Sequence, residues 1–130
     1  MENKPIQLVY SKKYTTLTRN ELIQAVKSQM SLKRFQHVLG VEQSAIQLAE
    51  KYNVSIEAVS IAALTHDYAK ERSDKEMQDL IYREQFDLEL LDYGSNIWHG
   101  LLGAFLVKQE LGIADLDILN AIKHHTIGAE

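Results

Sequence analysis

The stretch Val59-Ser60-Ile61-Ala62-Ala63-Leu64-Thr65-His66-Asp67 decides how this chain is read. Its first seven residues form an apolar helical run, and the run ends on a histidine and an aspartate, which then enter the interior from a helix end. Burying an aspartate without a partner costs several kcal/mol, and a metal ion would remove that penalty. A His-Asp hydrogen bond closing the helix is the simpler account of the pair taken alone.

Working outward, Ser55 is placed to cap this helix. Ser31 caps the one before it, which carries Leu32, Phe35, Leu39, Ile46 and Ala49 at helical spacing and should end near Tyr52-Asn53. Thr18-Arg19-Asn20-Glu21 and Ser73-Asp74-Lys75-Glu76 are capping boxes. The first predicts a helix running to about Met30. Asn96 is expected to cap a helix from Ile97 to Leu111, with Gly112 as its stop. Asp115 should start the last helix, which delivers Leu116, Ile118, Leu119 and Ile122 to a core. Alternation with period two is nowhere sustained, so the fold class is all-α. Residues 1–16 are expected to form a loosely held arm, and 17–130 a single helical domain.

The chain has 130 residues, 45% hydrophobic and 25% charged, ordinary for one globular domain with a real core. The absence of cysteine excludes a disulfide framework and thiolate metal sites, and fits a cytoplasmic location. The N-terminus lacks the pattern of a signal peptide, and no stretch approaches the roughly 20 apolar residues a membrane span needs. A net charge of −4 disfavours nucleic-acid binding through a basic surface. A small phosphorylated ligand stays compatible with it.

Three further histidines stand on other helices or at their ends. His37 has Gly40 and Ser44 on its side of the helix, leaving open space for a ligand. His99 lies in Trp98-His99-Gly100-Leu101-Leu102-Gly103, where Gly100 and Gly103 let another backbone approach. His125 follows His124 where the last helix gives way to a turn, and at most one of the two should face a given metal. Taken singly, each has a plainer account: a packing glycine beside His37, or helix-dipole interaction for the terminal pair. Together, four histidines and Asp67 are read as ligands converging on metal, with iron, manganese, zinc and nickel all suited to imidazole and carboxylate. Lys70 shares the face of His66 and Asp67 if the helix continues, and can neutralise a phosphate oxygen.

The order His, His-Asp, His, His resembles the HD-domain superfamily of metal-dependent phosphohydrolases, helical bundles named for the His-Asp pair. More specifically, the chain is similar to the bacterial YqeK-type family of symmetrical diadenosine tetraphosphate hydrolases. The matching segments are Lys33-Arg34-Phe35-Gln36-His37-Val38-Leu39-Gly40-Val41-Glu42, Ala63-Leu64-Thr65-His66-Asp67-Tyr68-Ala69-Lys70-Glu71, Asn96-Ile97-Trp98-His99-Gly100 and Ala121-Ile122-Lys123-His124-His125-Thr126-Ile127-Gly128. The resemblance implies a two-iron centre. His37, His66 and Asp67 would bind one ion, with Asp67 bridging to a second held by His99 and His125. It implies cleavage to two ADP, Asp67 and Lys70 acting at the phosphate, and Arg34, Trp98, His124 and Thr126 as substrate contacts. The rival expectations are a phosphohydrolase of nucleoside monophosphates or cyclic nucleotides, and a non-catalytic nucleotide- or partner-binding module. The family pattern continues into a further helix with an Ala-Asp-Tyr-like motif whose Asp completes the first metal site. This sequence stops at Ala129-Glu130, so the domain is expected to be truncated at its C-terminal end. An apolar surface left exposed there would favour pairing into a homodimer.

Overall fold

The computed structural model describes residues 8–124. Hydrogen-bonding side chains mark where most of its helices begin. Thr18 and Glu21 close their capping box around the start of α1 (Arg19–Lys27), with Thr18 Oγ1 accepting from the Glu21 N–H at 3.1 Å and Glu21 Oε1 accepting from the Thr18 N–H at 2.9 Å. Ser31 caps α2 (Leu32–Tyr52), Ser55 caps α3 (Ile56–Thr65), and Ser73 forms its box at α4 (Asp74–Arg83). A 3-10 helix (Leu88–Asp92) leads to α5 (Ser95–Leu111), and Asp115 caps α6 (Leu116–His124) through the Ile118 N–H. There is no strand among the described residues, as the all-α reading expects.

Helix ends show why some boundaries differ from expectation. α1 stops at Lys27, three residues early, because after the last α-helical bond, from the Ser28 N–H to Gln24, the Gln29 and Met30 N–H groups bond only three residues back, to Val26 and Lys27. α5 begins at Ser95, and Asn96 is not its cap. The chain turns in through Gly94 at φ 102°, a conformation that a side chain would strain. α2 ends where Asn53 takes the left-handed conformation at φ 59° and its N–H reaches the Ala49 carbonyl.

α3 lies at the centre, packed against α1, α2 and α6, while α5 joins α4 to α6. Its Ile61 and Leu64 are fully buried, together with Leu22 and Val26 of α1, Val38 of α2 and Ile122 of α6. Such a helix is held by burial on nearly every side, each large apolar side chain contributing about 1.5–3 kcal/mol.

Residues 8–16, the described part of the expected arm, are tied down more closely than their polar sequence suggests. Tyr10 and Thr15 are buried, the Thr15 hydroxyl donates to the Leu111 carbonyl, and the Ser11 backbone N–H and hydroxyl both donate to Glu57. Tyr10 joins a buried chain of polar groups. Arg19 donates to Glu42 through Nε and Nη2 at 2.9 and 2.6 Å, and the Ser60 hydroxyl donates to Glu42 Oε2 at 2.5 Å. Because the single Ser60 proton goes to Glu42, the Tyr10 hydroxyl, 2.6 Å away, is the donor to Ser60. Burial pushes the Tyr10 hydroxyl up to about 12, so it keeps its proton. Four elements are thereby tied together around one carboxylate.

Candidate metal centre

His66 follows the last residue of α3, and its ring closes that end. Nδ1 lies 2.6 Å from the Ala63 carbonyl, an acceptor, so Nδ1 carries the proton and Nε2 keeps its lone pair. That lone pair faces Asp67 Oδ2 at 3.3 Å. Two acceptors aimed into the same space are the disposition of ligand atoms around a cation, with a carbonyl behind the imidazole fixing its tautomer.

α2 brings the third group. His37 is exposed, its ring centroid 6.4 Å from that of His66. One donor atom each from His37, His66 and Asp67 lies within 4.8 Å of the others. Ligands about 2.0–2.2 Å from one ion stand roughly 3.3–4.4 Å apart, so small side-chain rotations bring all three into range. Beside His37, Gly40, Val41, Ser44, Ala45 and Leu48 line an open groove of about 490 Å³, the free space expected there.

The placement of α2 over the His-Asp turn comes from a residue the sequence did not single out. Glu71 accepts from both the backbone N–H and the hydroxyl of Ser31, at 2.9 and 3.0 Å. Ser31 is the cap of α2, so this clamp sets where Arg34 and His37 stand relative to Asp67. Tyr68 and Arg72 brace the other side, both donating to Glu110, with Arg72 also reaching Gln29. These contacts span 38 to 43 residues of chain, and no local pattern announces them.

α3 does not continue through Lys70. The Tyr68, Lys70 and Arg72 N–H groups bond three residues back, in successive turns, so Lys70 leaves the helical face of His66. It sits half-buried near His99. His99 comes from α5, and its two ring nitrogens are buried with no partner of good hydrogen-bonding geometry among the described residues, although the Arg72 backbone is close. Burial first, then the Lys70 charge, holds His99 below the ordinary histidine value against the opposing pull of Arg72, Asp74 and Asp67. A neutral imidazole with unsatisfied nitrogens is the state that ligates metal, and an orphaned buried polar group needs such an explanation.

Gly103 gives the close approach expected of it, but to a side chain: a Cβ there would meet the Ala69 Cβ at 3.5 Å, ordinary contact. Trp98 is buried and its indole N–H donates to the Leu90 carbonyl at 2.6 Å, so it anchors the core. Arg34 donates to Asp67 Oδ2. His124 is exposed at the end of α6, whereas His125 and Thr126 lie outside the described residues.

A family model described as HD domain matches residues 34–130, three quarters of the sequence, a span that includes His37, His66, Asp67 and His99. The chain belongs to the HD domain family.

A symmetrical bis(5'-nucleosyl)-tetraphosphatase of Bacillus subtilis (strain 168) is 43% identical over 112 residues, covering 86% of this chain and 60% of that protein. The protein of the same name from Staphylococcus aureus (strain NCTC 8325 / PS 47) is 36% identical, covering 80% and 54%. A solved structure from Clostridium acetobutylicum, described as a predicted HD superfamily hydrolase involved in NAD metabolism, matches with a TM-score of 0.69 at 32% identity, over 82% of this chain and 57% of that one. This HD chain thus spans little more than half the length of the relatives it matches. No helix among its described residues is long and apolar enough to cross a membrane.

Proposed function

We propose that this HD domain serves the metal-dependent hydrolysis of diadenosine tetraphosphate to two ADP, in the cytoplasm. The observation that carries the reading is the convergence of His66 Nε2 and Asp67 Oδ2 beside His37, in a chain 43% identical to a symmetrical tetraphosphatase. His37, His66 and Asp67 would hold a first ion, and Asp67, with two carboxylate oxygens, would bridge to a second held by His99 and His125. Iron is the proposed metal, with manganese, zinc or nickel as substitutes of similar ligand preference. When bound, such a pair supplies a water-derived nucleophile near neutral pH and offsets charge on the phosphoryl group.

The chain's own residues do the rest. The Ala63 carbonyl holds the His66 ring in the ligating tautomer, and burial keeps the His99 ring neutral. Lys70 brings a positive charge to a phosphate oxygen, while His124 and Thr126 are proposed substrate contacts. Water adds to one inner phosphorus, the bond to the central bridging oxygen breaks, and the second ADP leaves. A homodimer would cover apolar residues such as Leu48 and Tyr52 that α2 leaves exposed.

The test pairs elemental analysis of anaerobically purified protein with product analysis on diadenosine tetraphosphate, AMP and a cyclic nucleotide. ADP as sole product, with two metals per chain, supports the proposal. AMP hydrolysis without ADP formation overturns it in favour of a monophosphate-type HD enzyme. Metal-free protein without turnover points to a binding module.

A further inference from the structure

Two of the arginine–carboxylate pairs among the described residues, Arg19–Glu42 and Arg34–Asp67, are built differently. Arg19 grips Glu42 with two nitrogens on two oxygens, the fork geometry that satisfies both partners. Arg34 touches Asp67 with Nη2 on Oδ2 alone, and its Nε is buried without a hydrogen-bond partner among the described residues. A buried N–H left unmade is a cost that a permanent structural pair would avoid. The oxygen that Arg34 occupies is also the one facing His66 Nε2, inside the three-residue group that can hold a metal. The Arg34 side chain is 31% exposed whereas that of Asp67 is 2% exposed, so the guanidinium has a way out to solvent and the carboxylate does not.

We infer that Arg34 is an exchangeable counter-ion. It neutralises the buried Asp67 in the metal-free chain and is displaced from Oδ2 by an entering divalent cation. The charges require the exchange. A guanidinium balances one carboxylate, but beside a divalent ion it becomes a like charge a few ångströms away, in surroundings where Coulomb energies are large. Position favours it as well. Arg34 lies one turn before His37 on α2, so it leaves the site on the same helix face that delivers a ligand. Once released it remains at the rim of the cluster, where an anionic phosphate would arrive.

The inference rests on reading His37, His66 and Asp67 as a metal site, and the experiment separates the two. Metal-free wild-type, Arg34→Gln and Arg34→Lys chains are titrated with Mn²⁺ against a chromophoric chelator, and the melting temperature of each is recorded with and without the ion. Arg34→Gln should bind Mn²⁺ roughly tenfold or more tightly than wild type, the scale of one charge-assisted hydrogen bond given up. It should also melt lower when metal-free, with the difference shrinking once loaded. Arg34→Lys, keeping the charge on a shorter-reaching side chain, should fall between the two and covers a failure of Arg34→Gln to fold. Equal or weaker Mn²⁺ binding by the variants overturns the exchange and leaves the metal site standing. Absence of binding in all three overturns both.

Discussion

Replacing Arg19 with methionine tests the buried network directly. Glu42 is completely buried, and its carboxylate accepts two bonds from Arg19 and one from Ser60. The substitution keeps most of the apolar stem but removes both guanidinium donors, leaving a buried carboxylate with the Ser60 hydroxyl. Breaking a buried pair from one side costs about 3–5 kcal/mol. The Arg19 side chain is 16% exposed, so some water reaches the vacated position and the low end, about 3 kcal/mol, is expected. With an unfolding entropy of about 2.1 cal/mol/K per residue over 130 residues, that lowers the melting temperature by roughly 11 °C. Calorimetry on the metal-free protein reads it. Adding Glu42→Leu should recover most of the loss, because removing both charges abolishes the unpaired one. A fall below about 2 °C, or a double variant no better than the single, would refute the claim that this pair anchors the fold.

Asp67→Ala should be the most damaging single change to the centre, abolishing bound metal and hydrolysis together; retention of normal metal content would remove Asp67 from the ligand set. His125→Ala should reduce activity far more than His124→Ala, and equal kinetic losses would mean that the pair has been assigned the wrong way round. Burial alone would raise the Glu110 carboxyl, but the Arg72 and Tyr68 hydrogen bonds outweigh it and hold the group below its usual range. Glu110 therefore stabilises the fold above its unfolded value and loses that contribution as pH falls through its lower folded one. Glu110→Gln should destabilise by at most about 1 kcal/mol at neutral pH, since the group is partly exposed and screened, with the gap closing below about pH 4 in denaturant titrations. Gly103→Ala should stabilise by up to about 1 kcal/mol in thermal melts, since helix propensity favours alanine and its methyl meets Ala69 at ordinary contact distance.

Legibility in the sequence followed the range of each interaction. Caps act within a turn, so Thr18, Ser31, Ser55, Ser73 and Asp115 could be recognised as helix starts before any fold was known. Asn96 misled because a glycine two residues earlier turns the chain by backbone conformation alone. The His-Asp pair was legible as a candidate centre through its apolar context, and His37 lies beside it as expected. The supports were not legible. Glu71 on Ser31, Glu42 between Arg19 and Ser60, and Tyr10 under α3 are ordinary polar residues in sequence, and only contacts 18 to 50 residues away give them meaning. Lys70 was expected on the face of His66 and Asp67 only if the helix continued, and the run of turns after His66 has no distinctive composition to announce that it stops.

The Glu71–Ser31 clamp and the His37–His66–Asp67 group join the same two parts of the chain, the first half of α2 with its cap and the run of turns that follows α3. An ion held there would be a cross-link closing the intervening loop, and the unfolded chain, with those ligands far apart, offers it no comparable site. Occupancy would then be readable as heat resistance. Above saturation, each tenfold rise in free ion should add about 1.4 kcal/mol to the stability of the native state, and a chelator should withdraw it in the same steps.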